Sequence, residues 1–249
     1  MDKFIDINFD FTTDTPSFWN NFWNNNDGFG AGSNDPDKKS PTLRKYHQIL
    51  WSKKLPNGLF MNLNQGSSEK EYLYWNKFRF GSDALIADFK YKKMAHILDE
   101  LKQKLPNYNK FQEIFLRKTY TIGGMIIFPK HPNSINQLRG TNPQIKDRVD
   151  LTLECIRKYY LNETSPLFDV LNADADFFNL FLDFKGYVDF FFLQDLVSND
   201  YTKVNFFIGD GDFNKNPLPT STDEYMMWHN KSIEFINNRN QRILNSFNI

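Results

Sequence analysis

The first residues of the chain alternate between apolar and polar side chains. The apolar positions are Ile5, Ile7, Phe9 and Phe11. This period of two predicts a strand over residues 4–11 that buries one face. Further apolar runs predict strands over residues 58–63, 71–80, 120–128 and 203–208. The stretch TIGGMIIF is nearly all apolar, which is typical of a strand buried on both faces, and its Gly123 and Gly124 indicate a bulge or a close backbone approach.

Capping residues followed by proline mark three helix starts. A cap side chain accepts a hydrogen bond from an unpaired backbone N–H, and proline at the first helical position lacks the donor that would stay unpaired. The pairs are Ser40–Pro41, Asn142–Pro143 and Ser165–Pro166, and Ser221 with Glu224 forms a capping box. These signals predict helices over residues 42–52, 143–161, 166–182 and 222–246. Apolar spacing predicts further helices over residues 90–104, 108–117 and 187–197.

The order of these elements indicates the fold class. Strands come first and last along the chain, with helices between and after them, which favours an α+β fold over a regular βαβ repeat. We expect one globular domain over residues 1–249, with a mixed or antiparallel sheet packed by several helices and a helix-rich C-terminal half. The 40% of hydrophobic residues, including 26 Phe, are enough to form its core.

Charge and hydropathy disfavour two classes of protein. The 30 basic and 30 acidic residues cancel, whereas nucleic-acid binding draws its affinity from a basic excess that neutralises phosphates. The N-terminal MDKFIDINFD is too charged for a signal peptide, and no apolar run is long enough to span a bilayer. We therefore expect a cytoplasmic protein that does not bind a membrane. Nucleic-acid binding is disfavoured and would have to use the aromatic and basic side chains of residues 72–80.

Residues 12–39 are rich in Asn, Asp and Gly and predict a long, mobile loop. Inside it lies the stretch FWNNFW, whose aromatic residues are Phe18, Trp19, Phe22 and Trp23. Core burial is the commoner fate of aromatic side chains, which favours a helical turn that anchors the loop. The alternative is an exposed aromatic patch that recruits a protein partner.

Charged side chains are concentrated in RGTNPQIKDRVDLTLE, residues 139–154. Asp150 and Glu154 are four residues apart on a predicted helix, where like charges repel, so we expect a cation or a bound proton nearby. One interpretation is a structural ion-pair network with Arg139 and Arg148. The other is a pocket in which these carboxylates and Asp147 act as acid–base or metal-facing groups. A Mg²⁺ ion would relieve the repulsion directly, although the sequence leaves the cofactor open.

A second cluster lies in SPTLRKYHQILW. Arg44, His47 and Trp51 are spaced so that they share one face of a short helix. Arginine binds phosphate or carboxylate, histidine transfers protons near neutral pH, and tryptophan stacks on planar or cationic groups. The alternative is an interfacial helix whose histidine is simply hydrogen-bonded.

Three long stretches together resemble an uncharacterised bacterial family known only as a domain of unknown function. They are DPDKKSPTLRKYHQILWSKKLPNG, RGTNPQIKDRVDLTLECIRKYY and DFKGYVDFFFLQDLV. The resemblance covers most of residues 34–243 and implies a bacterial or mobile-element protein of one domain. It implies no catalytic residues.

These observations support one main hypothesis and one alternative. The main hypothesis is an intracellular enzyme or ligand-binding domain with a pocket for a small anionic, nucleotide-like molecule. Its ligand contacts would be Arg44, Trp51, Arg139 and Arg148, and its acid–base groups would be His47, Asp147, Asp150 and Glu154. The alternative is a protein-interaction component, for instance of a bacterial defence or toxin system, that binds through Phe18, Trp19, Phe22 and Trp23. The sequence leaves open whether the protein is an enzyme.

Overall fold

A computed structural model describes residues 4–15, 17–24, 34–67, 69–86 and 92–247. Its sheet is antiparallel with strand order β1-β2-β3-β4, formed by β1 (Asn64–Gln65), β2 (Leu73–Trp75), β3 (Phe78–Ala84) and β4 (Met125–Pro129). The described N-terminal helices are α1 (Phe18–Asn24), α2 (Pro36–Lys39), α3 (Pro41–Trp51), α4 (Ala95–Lys104) and α5 (Tyr108–Thr119). The later ones are α6 (Ile135–Thr141), α7 (Val149–Tyr160), α8 (Phe168–Ala173), α9 (Ala175–Phe178), α10 (Phe184–Phe190) and α11 (Thr222–Phe247). The α+β prediction with a helix-rich C-terminal half is confirmed.

The predicted strand over residues 4–11 is wrong. Ile5, Ile7 and Phe11 are buried as the alternation requires, but the segment forms no strand pairing and turns into a 3₁₀-helix at Phe11–Asp14. The backbone N–H of Phe11 donates to the carbonyl of Tyr120 at 3.0 Å. The segment therefore packs on Tyr46 of α3 and contacts the end of α5 without joining the sheet.

The sheet differs from the predicted strands in its turns. The run at 71–80 contains a hairpin, because the chain reverses at Asn76, which has a φ of 50°, a conformation that asparagine tolerates better than most residues. The run at 58–63 lies before β1 and forms only a bridge between Lys54 and Phe60, and the run at 203–208 only a bridge between Val197 and Val204. The strand predicted over 120–128 begins at Met125 as β4 and is wholly buried.

The two glycines before β4 allow the close backbone approach that the sequence indicates. A Cβ on Gly124 would overlap the carbonyl oxygen of Thr119. The N–H of Gly123 donates to Asn240 Oδ1 at 2.7 Å. The fully buried Arg239 donates to the carbonyls of Gly123 and Met125, each at 2.8 Å. These contacts attach α11 to the start of β4, the strand at the edge of the sheet.

Capping signals identified two helix starts well and misplaced two. Ser40 Oγ accepts from the N–H of Leu43 at 3.0 Å, and Ser221 Oγ accepts from the N–H of Glu224 at 3.1 Å, as predicted. The predicted start at Asn142 is wrong, because Asn142 ends α6 and its side chain accepts from the N–H of Gln144 in a turn. Helix α7 begins only at Val149. The start predicted at Ser165–Pro166 is also wrong, because α8 begins at Phe168.

The other predicted helices are shorter or interrupted. The helix over 166–182 consists of α8, α9 and a 3₁₀-turn at Asn179–Phe181, and the one over 187–197 consists of α10 and a 3₁₀-turn at Gln194–Leu196. The helix over 90–104 begins at Ala95, and residues 87–91 lie outside the described part.

The aromatic segment FWNNFW forms α1, so the interpretation of a helical anchor is confirmed. Phe18 and Phe22 are buried, and Phe18 lies with its ring centroid 5.1 Å from that of Tyr120. Trp23 stays 39% exposed. Of the predicted loop over 12–39, residues 16 and 25–33 lie outside the described part. Among the helices that the structure describes, none is long and apolar enough to cross a bilayer.

Candidate functional site

A polar cleft of about 430 Å³ opens beside strand β3 and helix α2. Its volume lies within the range of small-molecule sites. Charged side chains of both signs line it: the acids Asp35, Asp37, Glu71 and Asp83, and the lysines Lys38 and Lys130. The remaining lining residues are Tyr72, Gly81, Ser82, Asn136 and Gln137. We take this cleft as the candidate functional site.

Helix α2 is one turn long and is held in place from both ends. Asp35 caps it by accepting from the N–H of Asp37 at 3.1 Å, and the same carboxylate accepts from the Tyr120 hydroxyl at 3.2 Å. At the other end, the Arg44 guanidinium donates to the carbonyls of Lys38 and Lys39 at 2.9 and 3.2 Å. Arg44 therefore positions α2 at the cleft through main-chain contacts.

Arg139 is the buried cation behind the cleft. Its guanidinium donates to Asp83 Oδ2 and to the carbonyl of Ala84, both at 2.8 Å. It also donates to the carbonyl of Asp147 at 2.9 Å and lies 3.1 Å from the Asp147 carboxylate. One arginine thus joins the end of β3 to the turn before α7. Of the predicted residues, the structure brings Arg139 and Asp147 together at this point.

The carboxyl groups around Arg139 hold protons more tightly than exposed aspartates do. Burial raises the pKa of Asp83 to about 7; the Arg139 cation opposes the rise, and the Asp147 carboxylate adds to it. Burial also raises the pKa of Asp147 against the pull of Arg139. The pKa of Asp37 rises well above its usual value because of burial and then because of its neighbours Asp35 and Asp83. A carboxyl that titrates near neutral pH can act as a general acid or base.

His47 reaches the cleft only through Ser82. The indole N–H of Trp51 donates to His47 Nδ1 at 2.9 Å, so the ring proton lies on Nε2, which is 2.9 Å from Ser82 Oγ and donates to it. Burial, reinforced by the cations Arg239 and Arg44, lowers the pKa of His47 to about 3. The imidazole is therefore neutral and orients the Ser82 hydroxyl at the cleft wall, with Trp51 buried behind it.

Asp150, Arg148 and Glu154 have their own partners elsewhere in the fold. The buried Arg148 and Asp150 form a two-bond pair at 3.0 and 2.5 Å. Arg148 also donates to the carbonyls of Pro217 and Ile208. The Glu154 carboxylate accepts two bonds from Arg157, both at 2.8 Å. These groups have the contacts of structural ion pairs, and the structure does not bring them to the cleft.

The sequence interpretation missed the residues that line the cleft most closely. Asp35, Asp37 and Lys38 lie in DPDKKSP, where Asp35–Pro36 repeats the pattern of a cap before a proline seen at Ser40–Pro41. That repeat could have indicated α2. Asp83 and Lys130 carried no such signal, because only the pairing of β3 with β4 brings them to the same cleft.

The cleft has no metal-binding geometry. In residues 4–15, 17–24, 34–67, 69–86 and 92–247, no three His, Cys, Asp or Glu side chains are placed to hold a metal ion. In these ranges, therefore, no group of such side chains is placed to bind the Mg²⁺ ion that the sequence suggested. What the cleft offers is hydrogen bonding, two ammonium groups and one carboxyl, Asp83, that exchanges a proton near neutral pH.

Comparison with known proteins identifies a family whose function is unknown. No curated protein and no solved structure matches the chain. A family model described as "Family of unknown function (DUF6994)" matches residues 5–243, nearly the whole sequence. The match extends further towards the N-terminus than residues 34–243, which contain the three stretches that carry the resemblance, and it includes helix α1. The chain therefore belongs to this family of unknown function, DUF6994.

Proposed function

We propose that the protein is a bacterial, cytoplasmic enzyme or ligand-binding domain whose polar cleft holds a small molecule with an anionic group. Phosphate and carboxylate are the groups that fit. The anion would lie on Lys38 and Lys130, and the uncharged polar part of the molecule would face Ser82 and Asp83.

One observation carries this proposal. Lys38 and Lys130 line the same cleft as four acidic side chains, yet within the described ranges neither forms an ion pair. Lys130 Nζ instead donates to Asn136 Oδ1 at 3.2 Å. Elsewhere in the fold cations beside carboxylates do pair, as Arg148 does with Asp150. Two ammonium groups that form no salt bridge in one hollow favour an anionic ligand.

Protonation of the cleft carboxyls reduces the negative charge that opposes this preference at neutral pH. With a pKa of about 7, Asp83 is about half protonated, and Asp37 carries a proton more readily than an ordinary aspartate. The two lysines therefore face less negative charge than four fully ionised carboxylates would supply. The same protonated carboxyls can donate hydrogen bonds to a ligand oxygen or transfer a proton to it.

A nucleotide-like ligand is the specific form of this proposal. The volume of the cleft accommodates a small molecule, and Tyr72 in its lining offers an aromatic surface for a base. Arg79 already lies 4.7 Å from the ring centroid of Tyr72, which orders that side chain.

Thermal unfolding with inorganic phosphate, AMP and ATP tests the proposal. A probe present at about 100 times its Kd should stabilise the fold by about 2.7 kcal/mol and raise Tm by at least about 5 °C. The double variant Lys38→Met/Lys130→Met should lose this shift, whereas Lys203→Met, an exposed lysine on another loop, should keep it. The proposal fails if no probe raises Tm, or if the double variant responds as the wild type does.

The interaction hypothesis remains a second proposal, because one part of α1 is exposed to solvent. Phe18 and Phe22 are buried, while Trp23 is 39% exposed. A partner protein, for instance of a bacterial defence or toxin system, would bind this exposed edge. Pull-down with wild-type bait and with Trp23→Ala bait tests this: a partner that both retain equally contradicts it.

A further inference from the structure

A second hollow, of about 650 Å³, lies between helices α5 and α11. It shares no lining residue with the polar cleft. Its walls are largely apolar and come from Phe111, Ile114, Phe115 and Ile233. Ile114 lines this hollow and is nevertheless 57% exposed. An apolar hollow that stays open to solvent is unfavourable unless something fills it.

A neutral histidine completes the apolar wall. The imidazole of His229 stacks on Phe111 and Phe115, with a centroid distance of 4.4 Å to each ring. Burial lowers the pKa of His229, so the ring is uncharged at neutral pH. Its Nε2 is buried and has no hydrogen-bond partner in the described part of the chain. The histidine therefore serves here as a third aromatic surface and adds no positive charge.

The hollow carries one uncompensated positive charge at its edge. Arg117 is neutralised, because it pairs with Asp10 at 2.5 Å and with Glu113 at 2.9 Å. Lys118 is the next residue and also lines the hollow, and it makes no ion pair with any residue that the structure describes. Partial burial lowers the pKa of Lys118, since no anion compensates the loss of water around its ammonium group.

We propose that this hollow binds a small amphipathic carboxylate, with the apolar chain against Phe111, Ile114 and Ile233 and the carboxylate on Lys118. The volume and the apolar walls select a ligand with a hydrocarbon body. Among the described lining residues, Lys118 is the cation without an ion pair, and it selects one negative charge. The site is independent of the polar cleft, because different elements form it.

Isothermal titration of the full chain with octanoate and with 1-octanol tests the proposal. Wild-type protein should bind octanoate more tightly than the alcohol, because only octanoate pairs with Lys118. Lys118→Met should weaken octanoate binding about tenfold and leave 1-octanol binding unchanged, since one partly buried ion pair is lost. Ile114→Asn should weaken both ligands, and the exposure of Ile114 means that the fold tolerates the change.

Lys110→Met is the matched control. Lys110 lies on the same helix as Lys118, is exposed, pairs with Glu113 and does not line the hollow. Its removal should leave octanoate binding unchanged. The proposal is overturned if millimolar octanoate does not bind, if Lys118→Met and wild type bind it equally, or if Ile114→Asn has no effect.

Discussion

Replacing the cleft carboxyl Asp83 with asparagine should change how the stability of the protein depends on pH. Asp83 titrates near 7 in the folded chain and near 3.8 when unfolded. The folded chain therefore holds this proton more tightly, so stability is greatest at low pH and falls as pH rises from about 4 to about 7. The side chain is only 16% exposed, so solvent screens this effect little.

The size of the effect follows from linkage. A difference of one unit between the folded and unfolded pKa corresponds to about 1.4 kcal/mol, and integration between pH 5 and pH 7 gives a loss of about 2 kcal/mol from this one group. Asp83→Asn removes that loss and keeps an oxygen that can accept from Arg139. Asp147 also loses a repelling neighbour, which acts in the same direction.

Urea denaturation followed by tryptophan fluorescence, at pH 5 and at pH 7, measures this prediction. The difference in free energy of unfolding, Asp83→Asn minus wild type, should be about 2 kcal/mol larger at pH 7 than at pH 5. Asp99→Asn, which alters an exposed ion pair with Lys102, should show no such change. If wild type and Asp83→Asn lose stability with pH at the same rate, the buried carboxyl does not have the raised pKa that the cleft chemistry requires.

Two further predictions test the structural roles of other residues by denaturant unfolding. Arg148→Ala leaves the carboxylate of Asp150 buried without its cation and should cost about 3–5 kcal/mol, whereas Lys102→Ala breaks the exposed pair with Asp99 and should cost about 1 kcal/mol or less. Equal costs would contradict the structural role of the buried pair. Gly124→Ala places a methyl group against the last carbonyl oxygen of α5 and should lower the free energy of unfolding by at least about 3 kcal/mol. In Gly81→Ala the methyl group meets only the flexible side chain of Lys130 at 3.4 Å, and the loss should be about 1 kcal/mol or less. A stable Gly124→Ala variant would refute the close approach at β4.

Elements that depend on neighbouring residues were predictable from the sequence. The cap at Ser40 with Pro41 places α3 within one residue of its observed bounds, and the capping box at Ser221 does the same for α11. The aromatic periodicity of FWNNFW predicted the anchoring helix α1. Each signal acts through hydrogen bonds or packing within one or two helical turns, so the local sequence contains all of it.

Partners that are distant along the chain were decided by the tertiary structure. The sequence showed that Arg139, Arg148 and Asp150 are charged residues close together along the chain. It did not show which arginine forms a structural ion pair and which one lies behind the cleft. That distinction depends on Asp83, which is 56 residues from Arg139 and reaches it only because β3 pairs with β4. The fold class follows from local patterns of apolar residues and helix caps. The cleft exists only where separate elements bring their charged side chains together. Electrostatic interactions depend on distance in space and not on spacing in the sequence, so the sequence alone did not determine the cleft.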